Sequence, residues 1–216
     1  MPLYTADALV LRTYKLGEAD RIVVFLTRDR GKKRGVAKGA RRQRSRFVGA
    51  LEPLTEVRVA YFEKERRELV GLNYAETVRS PLVLSTEGAL EIVSYFAELI
   101  DEWAQEADAD DRLYRLGVSM LDALASGAPV EPLARYFEYW LLRLQGVYPE
   151  ARGSLSEGAL AFLAASRGVA PQRVADLPAG RGVLKELENV HRALIAMHLE
   201  KTLKSDRVLR DLRRHG

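Results

Sequence analysis

The stretch VAKGARRQRSRF, residues 36–47, crowds five cations together without a carboxylate. Crowded like charges oppose compaction, so such a cluster is typical of a solvated loop or of a surface for an anionic partner. The wider segment 28–46 holds ten cations against Asp29 alone. Phosphates are a suitable partner, because Lys and Arg release condensed counterions when they neutralise them. The pattern favours polyanion binding, and the alternative is a charged hairpin kept for solubility.

Catalytic and metal-binding patterns are sparse. Glu188, His191 and His198 could share one helical face, but a di-metal carboxylate site requires a second Glu-x-x-His, which the sequence lacks. The absence of cysteine excludes disulfides, thiolate metal sites and cysteine nucleophiles. GKKRGVAKGA, residues 31–40, does not fit the phosphate-loop pattern. The sequence therefore predicts no catalytic residues, no metal and no cofactor; a metal-dependent hydrolase built on the Glu188 and histidine set is the weaker alternative.

Charge is unevenly distributed along the chain. Residues 1–80 contain 18 cations and 10 anions, whereas residues 81–216 contain 16 cations and 20 anions. This asymmetry indicates a polyanion-binding module beside a different one. The short apolar patch near the N-terminus contains Asp7, so it does not fit a signal peptide, and no apolar run reaches the ~18 residues of a membrane span. We expect a cytoplasmic protein without a membrane partner.

The first 80 residues have the alternation typical of strands. Val57, Val59 and Tyr61 alternate with residues of the opposite face, as in a strand whose two faces differ. The predicted strands are ALVLRTY (8–14), RIVVFLT (21–27), GKKRGVAKG (31–39), TEVRVAYFE (55–63) and ELVGLNYAETV (68–78). Five short strands predict a small barrel of the OB-fold type, whose loops bind oligonucleotides. The aromatic residues near the basic cluster could stack bases or belong to the core; these are Phe47, Tyr61, Phe62 and Tyr74.

From residue 85 the apolar period changes to that of helices. Ser85 or Thr86 can cap the first helix, and further helices are predicted near 109–125, over 130–146 and over about 183–213. The inward residues predicted for the last helix are Leu187, Val190, Leu194, Met197 and His198. The predicted fold class is α+β, an all-β domain followed by an all-α domain.

GEADRIVVFLTRDRGK, GVAKGARRQRSRFVGALEPLTEV and HLEKTLKSDRVLRDL resemble the RecO family of bacterial recombination mediators, in matching order across nearly the whole chain. The resemblance implies an OB domain over 1–80 and a helical domain over 81–216. It also implies a non-enzymatic, nucleoid-associated function: binding of single- and double-stranded DNA, annealing of complementary strands and, with RecR, loading of RecA onto DNA coated by single-stranded DNA-binding protein.

The resemblance also implies which residues act. DNA binding falls on Lys38, Arg41, Arg42, Arg44 and Arg46, with Lys32, Lys33 and Arg34 assisting. Family members bind the acidic, apolar-ended tail of single-stranded DNA-binding protein on the helical domain, which requires a cation beside an apolar pocket. Arg135 and Arg143 border the apolar stripe of the helix over 130–146 and are the candidates. RecR is expected to contact the OB domain.

One departure from the family concerns zinc. Many members carry a four-cysteine zinc segment after the helix that is YFEYWLLRLQGVYPE here, and this chain continues without any cysteine. Zinc is therefore not implied, and the helical domain lacks the zinc knuckle. An RNA-binding OB-fold protein associated with the ribosome is the alternative function; such a protein would not need a receptor for the single-stranded DNA-binding protein.

Overall fold

The computed structural model describes residues 2–63, 68–84, 87–149 and 155–199. The strands are β1 Leu3–Leu16, β2 Asp20–Thr27, β3 Gly31–Ala37, β4 Glu56–Phe62 and β5 Leu69–Arg79. The helices are α1 Ala89–Trp103, α2 Asp111–Ala125, α3 Val130–Leu144, α4 Glu157–Ala165 and α5 Arg181–Leu199, with short 3-10 helices at Pro81–Val83 and Pro171–Asp176. Among the helices of these ranges, none combines the length and the hydrophobicity that a membrane span requires.

The five strands close a barrel in the order β1-β2-β3-β5-β4. Neighbours are antiparallel except β3 and β5, which run parallel from Arg34 to Ala37 of β3. Phe25 and Tyr61 fill the interior with the apolar residues of the other strands. The stretch IVVFL of β2 is apolar on both faces, which predicts burial on both sides, and its residues from Val23 onward are buried. The inward alternation of β4 also matches the sequence pattern. The predicted OB-fold barrel, followed by a helical region, is confirmed.

β1 is the longest strand and pairs on both of its edges. It pairs with β2 from Ala8 and with β4 up to Leu9. The register with β2 shifts between Val10 and Arg12. Such an irregularity bends a strand and increases its twist, which lets one strand close both sides of a small barrel.

The segment between β3 and β4, residues 38–55, consists of turns and is called the basic loop below. Phe47, Ala50 and Leu51 of this loop are buried in the same core cluster as the barrel interior. These apolar side chains anchor the loop to the barrel, because removing them from that cluster would expose apolar surface to water. The cations of the loop are therefore carried by an anchored segment.

The described residues divide by packing into two compact units. The barrel unit comprises residues up to Val83 together with Val93–Leu121, so parts of α1 and α2 belong with the strands. At Gly117 of α2, an added Cβ would lie 2.6 Å from a methyl carbon of Leu9, so a larger residue there would require the Leu9 side chain to shift. The division into an OB domain over 1–80 and a helical domain over 81–216 stays a prediction.

The helical unit comprises Leu84–Ile92 and the described residues from Asp122 onward. Its core contains Leu133, Phe137 and Leu141 of α3, three of the four residues predicted for the apolar stripe of this helix; the fourth, Leu144, is half-buried. In α5 the prediction was partly wrong: Met197 is 65% exposed and His198 is exposed, rather than facing inward. Ser85, Thr86 and the predicted extension of the last helix over 200–213 lie outside the described residues.

Candidate nucleic-acid interface

The basic loop presents its cations to solvent. Lys38 follows the last residue of β3, and the other four loop cations, Arg41, Arg42, Arg44 and Arg46, lie further along the turns; all five are exposed. Across the part of the chain that the structure describes, none of the five forms an ion pair with a carboxylate. Their charge is consequently available to an external anion.

Backbone contacts hold the start of the loop in place. The Gly39 amide donates to Oδ1 of Asp20 at 2.8 Å, and Gly39 has a φ of 70°, which favours glycine. Arg41 donates its amide to the carbonyl of Ala19 at 2.9 Å and its guanidinium to the carbonyl of Gly17 at 2.8 Å. The loop is thereby docked on the β1–β2 turn, which lowers the entropy cost of ordering it around a ligand.

The three assisting cations predicted in β3 have carboxylate partners. Nζ of Lys32 lies 3.3 Å from Oδ1 of Asp101, and Nζ of Lys33 lies 2.9 Å from Oε1 of Glu63. Arg34 contacts Glu68 at 3.3 Å and Glu106 at 3.2 Å. Their side chains are 17%, 19% and 41% exposed, respectively. Protein carboxylates therefore already offset these three charges. The assisting role of the three residues in DNA binding stays a prediction.

The four aromatic residues near the basic cluster separate into two groups. Phe47 and Tyr61 are buried in the barrel core, where burial raises the pKa of Tyr61 to about 12. Phe62 is half-buried on the outer surface, and Tyr74 is 37% exposed. Only the second group can offer a ring to a ligand outside the barrel.

In the helical unit the two predicted tail-binding arginines have different surroundings. Arg135 is 4% exposed, and its guanidinium lies 2.8 Å from Oε1 of Glu138 and 3.9 Å from Oε2 of Glu188. Arg143 is exposed and donates to the Tyr139 hydroxyl at 3.0 Å. Arg135 therefore belongs to the interior of the unit. Tail binding by either residue stays a prediction, and Arg143 is the one that a partner can reach.

The sequence did not single out Arg167, which joins Arg143 on the same surface. Its Nε donates to the Tyr139 hydroxyl at 2.8 Å, and the Arg143 guanidinium lies 5.8 Å from the centroid of the Trp140 ring. The Trp140 indole donates to the Ser166 carbonyl at 3.3 Å. Two cations thus flank an aromatic pair, an arrangement that sequence cannot reveal because α3 and the segment after α4 are far apart along the chain.

His191 is fully buried and has two polar neighbours. Its Nδ1 lies 3.0 Å from Oε2 of Glu138, and its Nε2 lies 3.2 Å from the Tyr148 hydroxyl. The exposed His198 instead contacts the Leu194 carbonyl through Nδ1. Within the described ranges, no three His, Asp or Glu side chains are grouped so that they could hold a metal ion.

The closed barrel and its exposed basic loop define an OB-fold protein followed by a helical region. Family models described as recombination protein O, N-terminal and C-terminal, match residues 1–81 and 88–152. A DNA repair protein RecO from Anaeromyxobacter sp. (strain K) is 37% identical over 191 residues, which cover 83% of this chain and 75% of the relative. The chain therefore belongs to the RecO family.

Two further relatives have the same name and match shorter regions. The RecO of Koribacter versatilis (strain Ellin345) is 41% identical over 149 residues, 68% of this chain and 61% of the relative. The RecO of Bifidobacterium adolescentis is 44% identical over 132 residues, 59% of this chain and 52% of the relative. The chain thus spans between half and three quarters of the length of these curated relatives.

Proposed function

We propose that this protein is a non-enzymatic mediator of DNA repair and homologous recombination that acts on nucleoid DNA in the cytoplasm. It binds single- and double-stranded DNA, anneals complementary strands and, with RecR, helps to load RecA onto DNA coated by single-stranded DNA-binding protein. The observation that carries the proposal is the anchored basic loop, whose five exposed cations have no carboxylate partner among the described residues.

The chemistry of the loop suits contacts to the phosphate backbone. Arginine and lysine at an exposed site neutralise phosphates and release counterions, which supplies affinity without base identity. A protein that binds the phosphate backbone leaves the base edges available for pairing. Its cations also lower the repulsion between the phosphates of two strands. Annealing follows from this binding mode and requires no catalytic residue.

The partner tail fits the surface around Arg143 and Arg167. An acidic peptide with an apolar end requires cations beside an apolar surface. Arg143 and Arg167 supply exposed cations, and the half-buried Trp140 supplies the apolar surface, since Tyr139 below it is fully buried. A labelled tail peptide should bind the full chain, and Arg143→Glu should weaken it about tenfold, because a charge-assisted contact is replaced by repulsion. Arg173→Glu, at an exposed arginine of the same unit, is the matched control. Equal losses of peptide affinity in both variants would mean that the tail does not bind at Arg143.

An annealing assay tests the function as a whole. Two complementary oligonucleotides, bare or coated with single-stranded DNA-binding protein, are mixed with and without this protein, and duplex formation is followed by fluorescence. We expect acceleration in both settings. The ribosome-associated alternative predicts binding of RNA over DNA of the same sequence and no acceleration on coated strands, so an RNA oligonucleotide of identical sequence completes the test.

A further inference from the structure

A cavity of about 580 Å³ opens on the outer surface of the barrel, across β3, β5 and the end of β4. Its volume falls within the ~300–1,000 Å³ of pockets that hold small ligands. The residues that matter for its chemistry are Val36, Lys38, Arg46, Phe62, Gly71 and Asn73. The cavity is next to the basic loop, because two residues of the loop, Lys38 and Arg46, line it.

The strand register explains why there is a depression at this place. Gly71 of β5 pairs with Val36 of β3 on one side and with Phe62 of β4 on the other. Directly paired residues project to the same face of a sheet, so these three positions form one row. A Cβ built at Gly71 would meet no heavy atom within 4 Å. The missing side chain therefore leaves open space between a valine and a phenylalanine.

The walls of the cavity suit a flat, partly apolar group. Phe62 is half-buried and supplies a ring, and bases stack on such rings in proteins that bind single strands. Asn73 lies two residues after Gly71 on β5 and lines the same cavity. Its side-chain amide has both a donor and an acceptor, which match the polar edge of a nucleobase.

The charges at the rim suit phosphates. Lys38 and Arg46 are exposed, and the Arg46 guanidinium lies 5.1 Å from the centroid of the Phe47 ring. The rim also contains the carboxylate of Glu68, which pairs with Arg34 at 3.3 Å. Two cations beside an apolar depression match a nucleotide unit, which has an anionic backbone and a planar base.

We propose that this cavity holds one unstacked base of a bound single strand, with the base over Gly71 and against Phe62 and the neighbouring phosphates on Lys38 and Arg46. The proposal rests on the proposed DNA binding of the basic loop and adds a base-binding subsite to it. Bases of a duplex stay stacked and paired, so the subsite engages single strands alone. The subsite therefore contributes affinity for single strands only, whereas the basic loop contributes affinity for both single strands and duplexes.

Gly71→Leu tests the subsite. The new side chain enters open space on an exposed strand position, so the barrel should fold normally, as circular dichroism and the melting temperature will show. We expect its affinity for an oligo(dT) strand to fall about tenfold, since one stacked base is lost. Its affinity for a duplex and its salt dependence should not change, because no phosphate contact is removed. Val78→Leu, on the same strand and 51% exposed, is the matched control.

A strand with abasic sites gives a second readout. The wild-type protein should bind the abasic strand about tenfold more weakly than oligo(dT), whereas Gly71→Leu should bind both equally. Phe62→Leu should behave in the same way if Gly71→Leu fails to fold. Unchanged single-strand affinity in the variants, or equal losses for single strand and duplex, would overturn the subsite. A wild-type protein that binds no DNA would instead overturn the proposed function.

Discussion

The cations of residues 28–46 fall into two groups that differ in exposure and in ion pairing. Lys32 and Lys33 of β3 are less than a fifth exposed and lie against carboxylates. Arg42 and Arg44 of the basic loop are exposed and have no carboxylate partner in the part of the chain that the structure describes. Removing an exposed charge changes the attraction for phosphate and hardly affects folding, whereas removing a paired charge leaves its partner behind.

The double variant Arg42→Ala, Arg44→Ala tests the loop cations. If about four cations contact a single strand, the logarithm of affinity should fall against the logarithm of salt concentration with a slope near −3, from ~0.7 per contact. The variant should flatten this slope by roughly one to one and a half and keep its melting temperature. Anisotropy titrations across a salt series, with thermal melts, provide the measurement.

Arg112→Ala, Arg115→Ala is the matched control for the loop variant. Both residues are exposed arginines of α2, in the barrel unit, and their removal changes net charge equally. Its slope should equal that of the wild type. Identical slopes in the loop variant and in the wild type, with both proteins folded, would show that the loop does not touch DNA and is a solubility device.

Arg135 is the residue where stability and function are most easily confused. Its guanidinium contacts two buried carboxylates, so Arg135→Ala should lower the free energy of unfolding by about 3–5 kcal/mol. Arg143→Ala, at an exposed position, should cost under about 1 kcal/mol. Urea titrations followed by circular dichroism compare the two. Similar small losses in both variants would mean that the buried ion pairs do not stabilise the fold.

The sequence predicted the position of the loop cations but not their pairing. The absence of carboxylates within residues 36–47 was visible in the sequence, and among the described residues no carboxylate forms an ion pair with the five cations of this stretch. The partners of Lys32 and Arg34, Asp101 and Glu106, lie in and just after α1. Contacts over such separations follow from the fold and not from local pattern. The cavity could not be predicted from the sequence for the same reason, since the row of residues that forms it comes from three strands.

At the scale of elements, β3 shows how closely the barrel and the residues after α1 pack. The Lys32 amide donates to the Gln105 carbonyl at 3.0 Å, which extends pairing beyond the barrel. Gly31 begins the strand with a φ of 69°, and a Cβ there would lie 2.5 Å from the backbone nitrogen of Asp108. Both backbone conformation and space therefore require glycine at this position.

Gly31→Ala should destabilise the barrel unit by more than about 2 kcal/mol, because it adds a backbone clash to the ~1–2 kcal/mol cost of the left-handed conformation. Gly17→Ala is the matched control: its φ is 58°, but an added Cβ would meet nothing within 4 Å. It should show the conformational cost alone. Chemical denaturation of both variants measures the difference, and equal losses would mean that the segment near Asp108 moves away freely.

The strands were easier to predict than the short helix α4. Alternation in β4 and the doubly buried run of β2 follow from their apolar residues alone. α4, Glu157–Ala165, was not predicted, because its run of alanine, leucine and phenylalanine lacks a clear helical period. The signal that could have found it is Ser156, whose hydroxyl accepts from the Ala159 amide as an N-cap.

At the scale of the whole molecule, the change from strands to helices does not coincide with the division by packing. Val93–Leu121 belongs with the barrel, although it is mostly helical. Leu9 and Leu54 are fully buried, and both lie near Gly117 of α2. The Tyr114 hydroxyl donates to Glu56 at 2.8 Å, and burial together with this hydrogen bond raises the pKa of Tyr114.

A fragment of residues 1–80 should therefore fold less stably than a fragment of residues 1–125. The shorter fragment uncovers Leu9 and Leu54 and leaves Glu56 without Tyr114, so apolar burial and a buried hydrogen bond are lost together. We expect a cooperative thermal transition for 1–125 and a broad or much lower one for 1–80, measured by circular dichroism. Because the basic loop is retained in both, 1–125 should also bind single-stranded DNA with the salt slope of the full chain. Equal melting temperatures for the two fragments would show that the barrel is a domain by itself, as the sequence pattern predicted.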